Sequence, residues 1–226
     1  GKTKQALVAY QQALELDRKL AERNPNRYEP DLISSLGDLG LLLTFQDRFG
    51  EARGYLNEAQ ALASRWYEKN PHLFTSVFLQ AQTNLIQFYF FQEKPDSALA
   101  IFHAIDSTVD RLAQTHPPLY QASYPKFQRG RGKVLLEMGD MGAAERAYRT
   151  ALAGFAAFEP AAAGEAPPLD FQEDWALTYQ ELGTLLVEQE QAYAAADSVF
   201  AEAASLLRPL ARQYPQRFGD DLLWLT

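Results

Sequence analysis

The chain contains no cysteine. That absence removes disulfides, thiolate nucleophiles and cysteine-ligated zinc together, although it does not separate a reducing cytosol from an oxidising compartment. Histidine is nearly as scarce. His72, His103 and His116 are the whole supply, and no two stand three or four residues apart, the spacing at which a helix presents two imidazoles to one metal. Each reads as a loop or helix-surface residue, and no metal or other cofactor is expected. Positive charge is also short: 21 basic against 29 acidic residues leave a net charge of −8. That balance disfavours nucleic acid and anionic lipid as partners, because phosphates reward basic surfaces. No apolar run approaches the roughly 18 residues that span a bilayer, and no secretory leader pattern opens the chain. The reading is a soluble chain with no membrane or nucleic-acid partner, the cytoplasm being the favoured compartment.

Catalytic motifs are missing as well. The opening GKTK has the end of a phosphate-binding loop, yet the preceding glycine and strand are absent, and the stretch belongs to a helical pattern. Gly130 and Gly132 in RGRGK suit close helix packing better than a phosphate cradle. Carboxylates are plentiful, but no spacing singles out an acid and base pair. No catalytic residue and no enzyme activity are expected.

What the chain does have is a period. Ala6, Ala52, Ala98 and Ala144 are each 46 residues apart, and Ala196 follows after 52. Four residues beyond each alanine stands a large apolar residue (Tyr10, Leu56, Phe102, Tyr148, Phe200). Three further on the column reads Ala13, Ala59, Ile105, Ala151 and Ala203, and seven beyond that Leu20, Trp66, Leu112, Phe158 and Leu210. Offsets of 0, 4, 7 and 14 stay on one side of an α-helix, so these columns predict the buried stripe of a recurring helix, helix B. Nineteen residues past the alanine comes a proline, Pro25, Pro71, Pro117 or Pro215, three residues ahead of Tyr28, Phe74, Tyr120 or Phe218. Proline disfavours helix in the residue before it, so it is expected to stop helix B while the aromatic anchors the turn into the next helix. In this reading the fourth unit lacks the pair.

A second recurring helix, helix A, carries Leu36, Leu39, Gly40 and Leu43, then Leu85 and Tyr89, then Gly132 and Leu135, then Leu182, Gly183 and Leu186. Polar or glycine turns close it: Gln46 to Gly50, Glu93 to Asp96, Gly139 to Gly142 and Glu188 to Gln191.

The leucine-glycine pair in one helix followed by alanine, a large apolar residue and alanine in the next (Leu39, Gly40, Ala52, Leu56, Ala59; Leu182, Gly183, Ala196, Phe200, Ala203) resembles the tetratricopeptide repeat over nearly the whole chain. The usual unit of about 34 residues is lengthened here. NPNRYEPDL, from Asn24 to Leu32, looks like a long-repeat subgroup found in bacterial multidomain proteins. The resemblance implies an all-α fold, a right-handed α-solenoid of antiparallel helix pairs, with about four full repeats and flanking single helices. It is read as one domain over 1–226: a lone helix B over 1–27, units over about 28–73, 74–119, 120–170 and 171–217, and the start of a further helix over 218–226. Both ends look cut within a unit. The alanine, glycine and proline segment 159–170 is expected to be an inserted loop without assigned role.

The resemblance also implies that helix A lines a concave groove and that the protein is a scaffold for another protein or peptide. Residues opposite the core stripe are Ser34, Gly37, Leu41, Thr44 and Phe45, then Gln80, Thr83, Gln87, Phe90 and Phe91. The third unit supplies Lys126, Arg129 and Lys133, on one face at i, i+3 and i+7. Apolar pockets beside a basic ridge suit a peptide with apolar anchors and acidic residues. Two other readings stand beside this one. The cations pair with Glu173, Asp174 or Glu181 of the next unit, and the aromatics belong to the core. At the level of function, the alternative is a regulatory or sensor segment whose groove packs on other domains of its parent chain. The family's clamp for a terminal carboxylate is not expected, since its lysine and asparagine places hold mostly glycine, leucine, glutamine and threonine.

Overall fold

A computed structural model describes residues 2–158, 166–189 and 193–224. Its described residues form ten α-helices and no strand: α1 (Lys2–Arg23), α2 (Pro25–Thr44), α3 (Phe49–Lys69), α4 (Pro71–Phe91), α5 (Pro95–Thr115), α6 (Pro117–Glu137), α7 (Met141–Ala156), α8 (Leu169–Glu188), α9 (Tyr193–Gln213) and α10 (Pro215–Trp224). The fold is all-α and solenoid-like, successive helices packing on one another within each of two units. The helices divide into two compact units, residues 1–108 and 109–226, with α5 crossing the division. In the first unit α2 packs on α1, α3 and α4, and α3 on α4. In the second, α7 packs on α6 and α8, α9 on α8 and α10, and α6 touches α8.

One residue links helix B to the next helix A. Asn24, Asn70 and His116 adopt extended backbone, with φ of −147°, −152° and −144°, and Pro25, Pro71 and Pro117 follow at the first helical position. Proline is pre-set for that place and lacks an N–H that would go unpaired there anyway. The recurring proline therefore starts helix A as well as stopping helix B. The aromatic three residues on donates its N–H to the linking residue's carbonyl, at 3.1 Å for Tyr28, 3.2 Å for Phe74, 3.0 Å for Tyr120 and 3.1 Å for Phe218. The fourth unit has the pair after all. Pro168 precedes α8, and Phe171 three residues later is 2% exposed and packs on Phe158 at 4.3 Å. The inserted residues upstream displace this pair from the 46-residue register. Residues 159–165 of that loop lie outside the described residues, as do 190–192 of the last turn.

The periodic columns are the core. Ala52, Ala98, Ala144 and Ala196 are at most 1% exposed, as are Leu56 and Tyr148, and Phe102 is 2% exposed. The helix A glycines receive the large member of helix B: a β-carbon on Gly40 would meet Leu56 at 2.6 Å, and one on Gly132 would meet the Tyr148 ring at 2.8 Å. The second repeat has Ile86 of α4 in this place, buried like the rest. Pro125 sits inside α6, buried, and a β-carbon on Gly154 of α7 would meet its ring at 2.9 Å. An interior proline costs a backbone hydrogen bond, so packing rather than propensity keeps that helix continuous.

Candidate interaction face along the first helices

In the first unit the candidate face lies along α2 and α4. The two helices approach so closely that a β-carbon on Gly37 would lie 2.3 Å from Asn84 Nδ2. Asn84 is held there by Gln80, whose Nε2 donates to Asn84 Oδ1 at 2.9 Å. Leu41, Thr83, Gln87 and Phe90 are partly exposed along this face. Thr44 turns inward, fully buried, and donates its hydroxyl to the Gly40 carbonyl at 2.8 Å. At the far end Phe45 and Phe91 stand 57% and 46% exposed, their rings edge to face with centroids 5.0 Å apart. Phe90 meets Phe91 at 6.0 Å. These two exposed rings occupy one column of the repeat, seven residues before Ala52 and Ala98, a column that holds Glu137 and Gln189 in the later units. Asp38, on the same side of α2, has its carboxyl pushed above the ordinary range by burial.

The second unit is built differently. Arg129 on α6 donates to Glu181 on α8 through Nε at 2.9 Å and Nη2 at 2.6 Å, and to Asp174 through Nη1 at 2.6 Å. Lys126 reaches Asp170 at 2.5 Å and Asp174 at 3.2 Å, and Lys133 lies 4.0 Å from Glu181. Burial works against the charge of Lys126 and of Arg129, but the carboxylates outweigh it and hold both cations' pKa values above their usual range. Asp170 moves the other way, held below its ordinary value by the hydrogen bond from Lys126. Burial, with the Glu181 charge behind it, pushes the Tyr148 hydroxyl strongly up. Lys126, Arg129 and Lys133 of α6 thus form an internal brace to α8. Glu173 takes a different partner, Arg217 at the start of α10.

The structure therefore assembles the expected residues as two separate sets, an apolar one in the first unit and an ion-paired one in the second. Asp38 and Asn84 have no place in the sequence reading because a period shows which residues share a helix face and not which residue two helices away meets it. Among the described residues no group of three or more His, Asp or Glu could hold a metal, and no helix is long and apolar enough to cross a membrane.

Paired helices in a repeating stack define the class: an all-helical repeat protein. Among solved structures the chain is similar to the crystal structure of BtubC (BKLC) from P. vanneervenii, with a TM-score of 0.69 and 16% identity over 91% of this chain and 74% of that one. At that identity the likeness speaks for the fold. No family model matches the chain, and no curated protein matches it in sequence.

Proposed function

We propose that the chain is a scaffold of tetratricopeptide type that holds a protein or peptide along the face of α2 and α4. The observation that carries this reading is the exposed Phe45–Phe91 pair. Soluble surfaces rarely leave two packed aromatic rings in water without use, and rigid aromatics are what binding hot spots are made of. Half-buried Leu41, Thr83 and Gln87 continue the face with apolar contact and uncharged hydrogen-bonding groups. The α6 cations contribute less than their sequence pattern suggests, because Asp170, Asp174 and Glu181 already engage them. The ligand's affinity then comes chiefly from apolar anchors.

Panning a random peptide library on the full chain, with the Phe45→Ala/Phe91→Ala double variant as counter-selection, tests the proposal. Enriched peptides with aromatic or aliphatic anchors should bind the double variant at least tenfold more weakly. Failure to enrich any peptide, or equal binding to both proteins, would sink it.

A further inference from the structure

The α2–α4 face carries charge of one sign. From Tyr28 to Asp47 and from Leu73 to Glu93 there is no lysine, arginine or histidine, while Glu29, Asp31, Asp38, Asp47 and Glu93 are acidic. Glu29 is engaged by Arg65 and Trp66. Asp47 and Glu93 stand two residues past Phe45 and Phe91, and both are exposed. Neither forms an ion pair among the described residues. The nearest cations in sequence are Arg48, which donates to Glu51 through Nε and Nη2 at 2.7 Å, and Lys94, exposed just before α5.

The helix ends add to this charge. Phe45 caps α2 and Phe91 closes α4, so both exposed rings sit at helix C-termini. A helix C-terminus carries partial negative charge, and neither α2 nor α4 has a basic residue in its last turn to offset it. At the end of α3 the chain supplies its own cation: Lys69, in the last turn, lies over the Trp66 ring, 4.4 Å from its centroid. A cation placed there is favoured twice, by the helix end and by the negative face of the ring. At the ends of α2 and α4 the rings are in place and the last turn holds no cation. Phe45 and Phe91 meet edge to face, which leaves ring faces that the partner ring does not cover.

We propose, resting on the scaffold reading above, that the peptide segment held on this face pairs its apolar anchor with an arginine, which stacks on the exposed rings of Phe45 and Phe91 and donates to a corner carboxylate, Asp47 or Glu93. Arginine suits the place better than lysine because its planar guanidinium lies flat on a ring and still presents donors at its rim. The sequence pattern of Lys126, Arg129 and Lys133 points to an acidic ligand, but those three cations are engaged by carboxylates within the second unit. The charge on the first unit's face selects a ligand of the opposite sign.

The probes are fluorescent dodecapeptides of glycine and serine carrying one tryptophan, with arginine, glutamine or glutamate at each position up to four residues from it, titrated against the full chain by anisotropy. The best arginine peptide should bind at least tenfold more tightly than its glutamine counterpart, and the glutamate peptide more weakly still. Asp47→Asn/Glu93→Gln should bring the arginine peptide down to the glutamine level and leave the glutamine peptide unchanged. Both altered positions are exposed, and thermal unfolding of the variant confirms that it folds. Replacing the tryptophan by serine should abolish binding of the arginine peptide. Equal binding of arginine and glutamate peptides overturns this proposal and leaves the scaffold reading standing. An arginine preference that survives Asp47→Asn/Glu93→Gln, or that needs no tryptophan, also overturns it, the cause then being attraction to the chain's net charge of −8. Absence of binding by every peptide, or binding indifferent to Phe45→Ala/Phe91→Ala, overturns both readings.

Discussion

Gly183 faces Phe200 so closely that a β-carbon on the glycine would lie 2.4 Å from the ring's Cε1 and 2.7 Å from Cδ1 and Cζ. Alanine in a helix is favoured over glycine by about 1 kcal/mol, but overpacking a filled site costs about 1–3 kcal/mol. Steric conflict wins at this contact. Gly183→Ala should lower stability by about 1–2 kcal/mol in urea unfolding. Gly54, exposed on α3 with nothing within 4 Å of its would-be β-carbon, is the control, and Gly54→Ala should gain about 1 kcal/mol.

The brace between α6 and α8 should be unequal in strength. Arg129 is 16% exposed in its side chain and its partners Asp174 and Glu181 are 24% and 21% exposed. Removing it leaves two partly buried carboxylates facing each other. A fully buried pair broken in this way costs about 3–5 kcal/mol, so Arg129→Ala at this intermediate depth should cost about 2–3 kcal/mol. Lys126 pairs with Asp170, which is 67% exposed, and Lys126→Ala should cost less than about 1 kcal/mol. Equal losses in denaturant melts of the two variants would contradict the geometry.

Acid should loosen the Lys126–Asp170 pair in a known direction. The folded carboxyl of Asp170 is depressed by the lysine. Its contribution is therefore full above the ordinary aspartate value of about 3.9 and fades as pH falls toward the lower folded value. The difference in melting temperature between the native chain and Asp170→Asn should be measurable at pH 6 and vanish by about pH 2. A difference that grows on acidification would reverse the assignment.

Three helix A termini end in the same corner. Asp47, Glu93 and Gly139 are 46 residues apart, with φ of 57°, 55° and 78°. The next residue donates back to the helix at 2.9 Å for Arg48 to Leu43, 2.9 Å for Lys94 to Tyr89 and 3.0 Å for Asp140 to Leu135. A left-handed conformation costs an ordinary residue about 1–2 kcal/mol, part of which glycine gives back through greater freedom when unfolded. Glu93→Gly should therefore raise stability by about 0.5–1 kcal/mol, read from the urea midpoint.

Much of the fold was legible because its period is written in several residue types at once. Ala52, Leu56 and Ala59 mark one helix face, and Pro71 with Phe74 marks the next start, so each column checks the others. The fourth start was missed for a physical reason: the inserted loop shifts Pro168 and Phe171 out of register while keeping their mutual spacing. Helix through Pro125 was not legible either, since its packing partner Gly154 lies on another helix. The candidate face was only half legible. Lys126, Arg129 and Lys133 share a helix face as their spacing requires, yet spacing carries no information about Asp174 and Glu181 opposite them. Phe45 and Phe91 were open to a core reading because aromatic rings at helical spacing suit either place.

The recurring left-handed corner has a further meaning. Its hydrogen bonds persist while the residue at its apex changes from aspartate to glutamate to glycine, so the bend belongs to the backbone and not to any one side chain. Identical joints at either end make a segment exchangeable. Deleting residues 48–93 would splice one joint directly onto its copy, and duplicating them would insert another cassette between two joints of the same shape, a route by which arrays of this kind can change length one unit at a time.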